Sequence, residues 1–439
     1  MGKSTFTILA EKLLEASKLL DAHSESSGLP PATFDNETFI DLPDEIEKHR
    51  KAMIDVAQDI KRLAQGPRDL LFETCNTFND LANLHFIYHF RIPQCVPLQG
   101  GVSYEELAVT TGLDTVLLRR MIRHSIINRV LAESSQGHVK HSAASRILHE
   151  ETGSMDAIGF WLEELFPAAP KMVEALKKYS GSGEPNETAF NLAFNTSRPF
   201  YLELETSPER ARRFGSAMRW MSQGGRFSHD YLVRGYYWAA FDHTEGLMVD
   251  VGGGHGAVSL ALARATAQMK FIVQDLPNTV EQGRTLLPSE LQGRLSFMEH
   301  DFFDLQPVKG ADIYFMRYIL HNWSDKYAAR ILENIVPALK DGARIVCCEF
   351  LPGDEATTRW TDKQPLNMDM IQAIGWNSIE RTASDWKRLF SSVDSRLVFK
   401  GAWTPEGCSV SLIEAQFQSQ HVATHMGDHD RSPVDQSNI

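Results

Sequence analysis

The chain has 439 residues, of which 43% are hydrophobic and 23% charged, a composition typical of globular proteins. Its formal net charge of −13 argues against a general binder of nucleic acid or of anionic membranes. A chain of this length is too long to fold around one ordinary hydrophobic core, so its length predicts more than one domain.

The five cysteines form no CxxC pair and no zinc-binding spacing. Such a sparse, odd-numbered set is typical of a reducing compartment rather than of a disulfide framework. No apolar run approaches the length of a membrane span, and neither a secretory nor a myristoylation signal is evident. We therefore expect a cytoplasmic enzyme with no membrane partner.

The N-terminal half of the chain is predicted to be mainly helical. Apolar residues recur at helical spacing from about Thr5 to Asp21 and from about Glu45 to Gly66, and further helices are expected from about Ala157 to Tyr179 and from about Glu209 to Met221. Further on, a capping box at Ser103 and Glu106, a second helix and a short hairpin are typical of a winged helix. These patterns divide the chain into a helical arm over 1–66, a winged-helix-like domain over 67–150, a helical connecting region over 151–241, a catalytic domain over 242–416 and a disordered tail over 417–439.

Three arginines on the second helix of the winged-helix-like domain, Arg119, Arg120 and Arg123, form a pattern that DNA-reading helices also show. The acidic net charge and the long α/β region downstream argue against DNA recognition. We therefore expect no nucleic-acid partner.

From Leu247 onward, strand-like and helix-like runs alternate, which predicts an α/β fold with a doubly wound, mostly parallel sheet. Helices are expected at about 257–267, 278–285, 325–340 and 383–391. The predicted strands are Leu247–Val251, Lys270–Gln274, Leu295–Glu299, Ile313–Arg317, Arg344–Phe350, Ser395–Lys400 and Ser409–Ala415.

The first of these strands runs directly into a glycine-rich turn, Asp250-Val-Gly-Gly-Gly-His-Gly256. A strand, a turn without side chains and a helix N-terminus form a cradle for a nucleotide-like ligand, with Gly252 and Gly254 as close-approach positions. Such a turn alone is compatible with NAD(P), FAD or S-adenosylmethionine.

Acidic residues at the ends of the next two strands narrow the choice among these three ligands. Asp275 follows Gly252 by 23 residues and is placed to accept both hydroxyls of a ribose, as either NAD or S-adenosylmethionine requires. Asp301 and Phe302 end the third strand, where an acid and an aromatic ring suit an adenine. The alternative for Asp301 is that it only caps the following turn.

These motifs make the chain, from about Phe78 to Ala415, resemble the plant caffeate- and flavonoid-type O-methyltransferases and their fungal relatives in secondary metabolism. The resemblance also rests on the runs Phe271-Ile-Val-Gln-Asp-Leu-Pro277 and Arg317-Tyr-Ile-Leu-His-Asn-Trp-Ser-Asp325, and on Ile379-Glu-Arg-Thr382.

The resemblance implies a seven-stranded, Rossmann-like methyltransferase sheet with an N-terminal winged-helix dimerisation domain, and hence a homodimer. It implies S-adenosyl-L-methionine as the cofactor and S-adenosyl-L-homocysteine as the product. The residues implied to contact the cofactor, with Gly254 of the same turn, are Gly252, Asp275, Asp301, Phe302 and Arg317.

His321 follows a buried strand at the edge of the sheet where ligands of α/β folds bind. A neutral imidazole there can take the proton of a hydroxyl nucleophile as it attacks the methyl group. Two carboxylates, Glu349 at the end of the next strand and Glu380 in a later loop, match the pair that flanks the catalytic His in the family. The alternative is a structural His beside capping or surface carboxylates.

Three positions depart from the family pattern, and the departures at Asn322 and Trp376 concern the acceptor. Asn322 stands where many members have Asp, Trp376 lies where many have a glycine-rich run, and Arg317 replaces the Lys of some plant members. We expect Trp376 to reshape the acceptor pocket, and Trp323 and Met368-Asp-Met370 to line it, although a Met-rich stretch is also ordinary core.

The sequence favours an O-methyltransferase that acts without a metal on a phenolic or enolic hydroxyl of a small, polyketide-like secondary metabolite. The alternative within the same fold is an enzyme that catalyses a dehydration or pericyclic step without methyl transfer. A winged-helix binding protein is less favoured. A nicotinamide-dependent dehydrogenase is least favoured, since no residues after Asp301 look like a hydride-transfer site.

Overall fold

The structure is a computed structural model that describes residues 3–35, 42–223 and 225–419. Its N-terminal arm begins with helix Thr5–Ser26, which packs against the long helix Asp44–His89. The long helix is interrupted at Gly66, whose φ is 73°, because Pro67 has no N–H to continue the hydrogen-bond ladder. This break falls where the sequence predicts the arm to end, although the division into domains stays a prediction.

The next part of the chain has the predicted helix–helix–hairpin order. Ser103 and Glu106 form the expected capping box, with each residue's side chain accepting a hydrogen bond from the other's backbone N–H. Ile87, Leu107 and Ile122 are fully buried in the core of this part. Its elements after the long helix are Ile92–Cys95, Tyr104–Thr111, Thr115–Ile127, strand β1 (Leu131–Glu133), strand β2 (Val139–His141) and helix Ala143–Glu150.

The connecting region is helical, as predicted, but more broken than the sequence pattern suggests. The single helix expected near 157–179 is divided by a π-helical turn, Trp161–Leu165, and by the prolines that follow it. The helix expected at 209–221 is present as Pro208–Gln223. The other helices of this region are Ser154–Phe160, Phe166–Ala168, Met172–Lys178, Ala189–Phe194, Phe200–Leu204 and His229–Gly235.

A seven-stranded sheet forms the C-terminal part, in the order β5-β4-β3-β6-β7-β9-β8. The first five strands in this order are parallel, and β8 and β9 are antiparallel additions at one edge. The predicted mostly parallel sheet is therefore confirmed. The strands are β3 (Leu247–Val251), β4 (Lys270–Asp275), β5 (Leu295–Glu299), β6 (Ile313–Arg317), β7 (Arg344–Glu349), β8 (Leu397–Trp403) and β9 (Ser411–Phe417).

Helices cover both faces of the sheet, so its central strands are buried on both sides. Successive residues of β3, Met248 and Val249, belong to different hydrophobic clusters, one on each face. The sequence pattern missed helix Lys363–Gly375 and the short turns. The helices of this part are Ala257–Ala265, Pro277–Leu286, Asp325–Ile335, Lys363–Gly375 and Ala383–Val393.

The strand order places a crevice above the carboxyl ends of β3 and β6, where the order of connection reverses. The glycine-rich turn follows β3 and His321 follows β6, so both lie at this crevice. Within the described part of the chain, no helix is long and apolar enough to cross a membrane. Residues 420–439, most of the predicted tail, lie outside the described residues.

Candidate active site

The glycine-rich turn requires its glycines. Gly252, Gly254 and Gly256 all have positive φ, between 59° and 76°. A Cβ at Gly252 would lie 2.5 Å from the Ile319 side chain, and one at Gly253 would lie 2.6 Å from the carboxyl carbon of Asp250. A side chain at Gly252 or Gly253 would therefore clash with its neighbours, and the cofactor contacts expected at this turn stay a prediction.

Asp275 is held at the mouth of this turn by backbone hydrogen bonds. Its Oδ2 accepts from the Gly254 N–H at 2.9 Å, and its Oδ1 accepts from the Leu276 N–H at 2.8 Å. Each carboxylate oxygen has more than one lone pair, so both can still accept from ligand hydroxyls. The residue type and its position therefore fit the ribose of a nucleoside.

The end of β5 contributes an acid and two aromatic rings. Asp301 Oδ1 accepts from the Phe303 N–H at 2.9 Å, which is the turn-capping role that the sequence left open. Phe302 approaches Gly252, with a ring atom 3.7 Å from where a Cβ of that glycine would stand. An aromatic face thus lies beside the glycine-rich turn, and Trp323 packs against Phe302 and Phe303 behind it.

Arg317 ends β6 and faces a segment that sequence reasoning did not identify. Its Nη2 donates to the carbonyl oxygen of Phe227 at 3.0 Å, and its guanidinium lies over the Tyr318 ring at 4.8 Å. Its buried Nε has no hydrogen-bond partner among the described residues. A buried, partly unpaired guanidinium fits an anionic group of a ligand in the crevice.

The backbone between β6 and His321 is strained. Tyr318 has a φ of 56°, a conformation that few residues other than glycine adopt. Asn322 holds this turn, because its Nδ2 donates to the Tyr318 carbonyl at 2.8 Å. The Tyr318 ring stacks on the imidazole of His321 at 5.4 Å between centroids. The turn thereby places His321 at the crevice. Asn322 stabilises the backbone of its own loop through this hydrogen bond.

The three predicted catalytic residues are brought together and are almost fully buried. Glu380 Oε1 lies 2.8 Å from His321 Nδ1, whereas Glu349 Oε2 lies 3.7 Å from the same nitrogen. The other oxygen of Glu349 accepts from the Ile319 and Leu320 N–H groups, both at 3.1 Å. Glu380 is thus the direct partner of the imidazole, and Glu349 adds a second charge while fixing the strained turn.

The two carboxylates change how His321 titrates. Burial alone would lower the pKa of His321, but the charges of Glu349 and Glu380 outweigh it and raise that pKa to about 9. Burial raises the pKa of Glu349 to about 7 against the opposing charge of His321. The site therefore stabilises the imidazolium form of His321, which is the form that this base has once it has accepted a proton.

The structure adds two supporting residues on helix Lys363–Gly375: Gln372, which the sequence reasoning missed, and Asp369, which it expected only to line the pocket. Gln372 is buried, with its Nε2 3.1 Å from His321 Nδ1 and 3.5 Å from Glu380 Oε1. Asp369 Oδ1 accepts from the Glu380 N–H at 2.8 Å. No sequence signal marks these contacts, because the helix itself was not predicted.

Aromatic side chains pack around Trp376, which directly follows the helix that carries Gln372. Trp376 is buried against Phe200, with ring centroids 4.5 Å apart, and lies 6.2 Å from Tyr201. Met368 packs beside it, whereas Met370 is half exposed. Among the described residues, no group of three or more His, Cys, Asp or Glu side chains is placed to hold a metal ion.

A seven-stranded sheet of this order, with a glycine-rich turn and acidic strand ends beside it, defines the class of Rossmann-like methyltransferases. A family model described as "O-methyltransferase domain" matches residues 175–394. The chain is 36% identical over 422 residues to a chlorophenol O-methyltransferase of Trichoderma longibrachiatum, covering 94% of this chain and 90% of that protein. It is also 36% identical over 418 residues to the grayanic acid biosynthesis cluster O-methyltransferase of Cladonia grayi, covering 94% and 88%.

The chain therefore belongs to the O-methyltransferase family, and the predicted activity, with S-adenosylmethionine as methyl donor, is confirmed. Solved structures share the fold. LepI in complex with SAM superposes with a TM-score of 0.72 at 22% identity, over 93% of this chain and 99% of that one. A structure titled "A Pericyclic Reaction enzyme" has the same TM-score and identity, over 93% and 100%.

Proposed function

We propose that this O-methyltransferase methylates a phenolic or enolic hydroxyl of a small, polyketide-like metabolite, with His321 as the base and without a metal ion. The observation that carries the proposal is the 2.8 Å contact between His321 Nδ1 and Glu380 Oε1. A carboxylate at this distance stabilises the tautomer with the proton on Nδ1, in which Nε2 is the nitrogen that accepts a proton. A relative whose name specifies chlorophenol supports a phenolic acceptor.

The cofactor would lie in the crevice above β3. Gly252 and Gly254 leave their backbone accessible, and Asp275 and Asp301 offer carboxylate oxygens to its ribose and adenine. Arg317, with its buried and unpaired Nε, would bind its carboxylate. Phe302 lies beside Gly252, and its ring would cover the adenine.

The protein's own contribution to the reaction is to orient the acceptor and move one proton. When bound, S-adenosylmethionine would supply a methyl group on a positively charged sulfur, and a positive charge in the crevice would oppose the imidazolium form of His321. His321 Nε2 would take the proton of the acceptor hydroxyl as the oxygen bonds to the methyl carbon and the carbon–sulfur bond breaks, with S-adenosylhomocysteine as the leaving group. Glu380 and Glu349 stabilise the imidazolium that results, and the aromatic wall around Trp376 holds the acceptor ring.

The proposal is tested by incubating the protein with methyl-labelled S-adenosylmethionine and a panel of phenols and enols that includes chlorophenols. Mass spectrometry should find a labelled ether and an equal amount of S-adenosylhomocysteine. His321→Ala should lose at least about 100-fold in rate, the usual contribution of a general base, while still binding the cofactor. The exposed His243→Ala is the matched control and should be unaffected.

Full activity in His321→Ala would refute the role given to that residue. The second candidate, a pericyclic or dehydrating step, is suggested by the shared fold with a pericyclic reaction enzyme. The same experiment separates the two, because that reaction would change the acceptor without adding a methyl group or releasing S-adenosylhomocysteine.

A homodimer is part of the proposal. On the long helix, every residue from 71 to 82 is exposed in the single chain, including Leu71, Phe72 and Phe78, which are 67%, 63% and 59% exposed. An exposed apolar face of this kind marks an interface. Sedimentation should show a dimer that Phe72→Glu with Phe78→Glu converts to a folded monomer, whereas the equally exposed control Leu305→Glu should not.

The cytoplasm is the proposed location. All five cysteines are free in the structure, and three of them, Cys347, Cys348 and Cys408, are buried. Reduced cysteines are typical of that compartment. Fractionation of the cells that make the protein would test this.

A further inference from the structure

The N-terminal arm contacts two segments that adjoin the active site, one beside Phe227 and one at the start of helix Lys363–Gly375, and this suggests a role for it. The part of the long helix before Gly66 presents Glu47 and Asp55 to the rest of the chain. These residues are eight positions apart, so they lie about 12 Å apart along the helix axis at 1.5 Å per residue. Each makes an ion pair or hydrogen bonds with a different loop.

Glu47 forms the first contact. Its carboxylate pairs with Arg226 and, on the same helix, with Arg50 Nε at 2.6 Å. The Glu47 side chain is only 12% exposed, so the pair is shielded from water. Arg226 directly precedes Phe227, whose carbonyl oxygen accepts the 3.0 Å hydrogen bond from Arg317.

Asp55 forms the second contact, with the turn Trp360–Asp362. Its Oδ1 accepts from the Thr361 N–H at 2.8 Å, and its Oδ2 accepts from Thr361 Oγ1 at 3.0 Å and from Arg359 Nε at 3.1 Å. Arg62, further along the same helix, lies over the Trp360 ring at 4.9 Å. The Asp55 side chain is 15% exposed and that of Arg359 is 58% exposed, so the hydrogen bonds to Thr361 are the shielded part of this contact.

The turn at Thr361 leads directly into helix Lys363–Gly375. That helix carries Asp369, which binds the Glu380 backbone, and Gln372, which contacts Glu380 and His321. Asp55 therefore anchors the start of the element that sets the position of Glu380. Glu47, by contrast, anchors the segment that Arg317 binds.

We propose that Glu47 and Asp55 of the N-terminal arm are positioning residues, Glu47 for the cofactor side of the crevice and Asp55 for the catalytic His–Glu pair. This inference rests on the proposed function for the roles of Arg317, His321 and Glu380. The arm then keeps the segment at Arg226 and the turn at Thr361 at a fixed distance from each other. A helix suits this role because its backbone is rigid over two turns.

The test separates the two contacts. Glu47→Gln should weaken the binding of S-adenosylhomocysteine, measured by calorimetry, by about tenfold, because it removes the charge from a shielded hydrogen-bonded pair. At saturating cofactor its kcat should stay close to the wild-type value. Glu47→Asp keeps the carboxylate and should recover most of the affinity.

Asp55→Ala should have the opposite profile. Cofactor affinity should be unchanged, whereas kcat should fall by about tenfold and its pH profile should shift, since Glu380 no longer holds His321 at the same distance. Exposed residues of the same helix supply the controls: Glu45→Gln and Asp59→Asn should change neither quantity.

Equal changes in affinity and kcat in both variants, or a lower melting temperature with neither quantity changed, would overturn the proposal. Failure of the proposed function is distinguishable from this. If the wild-type protein methylates no acceptor, the catalytic assignment fails, but calorimetry of Glu47→Gln still decides whether the arm positions the cofactor side.

Discussion

Replacing Glu380 by Gln tests the central contact of the site. The substitution keeps the shape of the side chain but removes the charge 2.8 Å from His321 Nδ1. The pKa of His321 rises from the ordinary 6.5 to about 9 in this site, a difference of about 3 kcal/mol at 1.36 kcal/mol per pKa unit. Glu380 makes the shorter of the two carboxylate contacts, so its loss should remove most of this stabilisation.

We expect kcat of Glu380→Gln to fall by between about 30-fold and 160-fold, the factor for about 2 to 3 kcal/mol of lost imidazolium stabilisation. The pH profile should move in a defined direction. A base acts in its neutral form, so the rate rises with pH as the imidazolium loses its proton. Without Glu380 the imidazolium is less stable, so the acidic limb of the profile should shift to lower pH while the plateau falls.

The assay follows S-adenosylhomocysteine release from about pH 5 to pH 10, with the acceptor identified by mass spectrometry. The exposed Glu333→Gln is the matched control and should leave both the plateau and the limb unchanged. A Glu380→Gln enzyme with a normal plateau, or with a limb shifted to higher pH, would refute the view that this carboxylate stabilises the imidazolium.

Three further predictions concern the turn, the wall and the stability of the site. Gly252→Ala should weaken cofactor binding and lower the melting temperature, because of its positive φ and the 2.5 Å approach to Ile319, whereas Gly293→Ala, with open space around it, should do neither. Trp376→Ala should cost about 3–5 kcal/mol in urea unfolding, as for other buried aromatic truncations. His321 and Glu349 both have folded-state pKa values above their ordinary values, so the free energy of unfolding should fall as pH rises through about 7 and then about 9.

Local sequence patterns determined the sheet and the ligand crevice of this protein. The runs that became β3, β6 and β7 are mostly apolar segments bounded by turns, and both of their faces are buried. The glycine-rich turn was also predictable, because only glycine tolerates the positive φ and the close approach at Gly252. His321 and Glu349 follow from the same logic, since the carboxyl ends of neighbouring parallel strands meet at one edge.

Only the tertiary structure decided how the two glutamates divide their roles. Spacing along the chain made Glu349 and Glu380 equivalent candidates, yet Glu380 contacts the imidazole while Glu349 turns one oxygen to the backbone of the strained turn. Gln372 was invisible because its helix lacks a clear pattern of apolar spacing. Side-chain contacts between residues dozens of positions apart depend on packing, which no local pattern encodes.

The contacts of the N-terminal arm are a second example of long-range contacts that local sequence patterns do not predict. Its helices were predictable from apolar spacing, but the sequence contains no sign that Asp55 reaches Thr361, 306 positions away. That contact depends on how the whole arm docks beside the sheet, and docking is set by the shapes and charges of surfaces that form only after each part has folded. The sequence alone therefore determined the strands of the sheet, most of the helices and the glycine-rich turn, whereas the folded chain decided which distant side chains contact His321 and its neighbours.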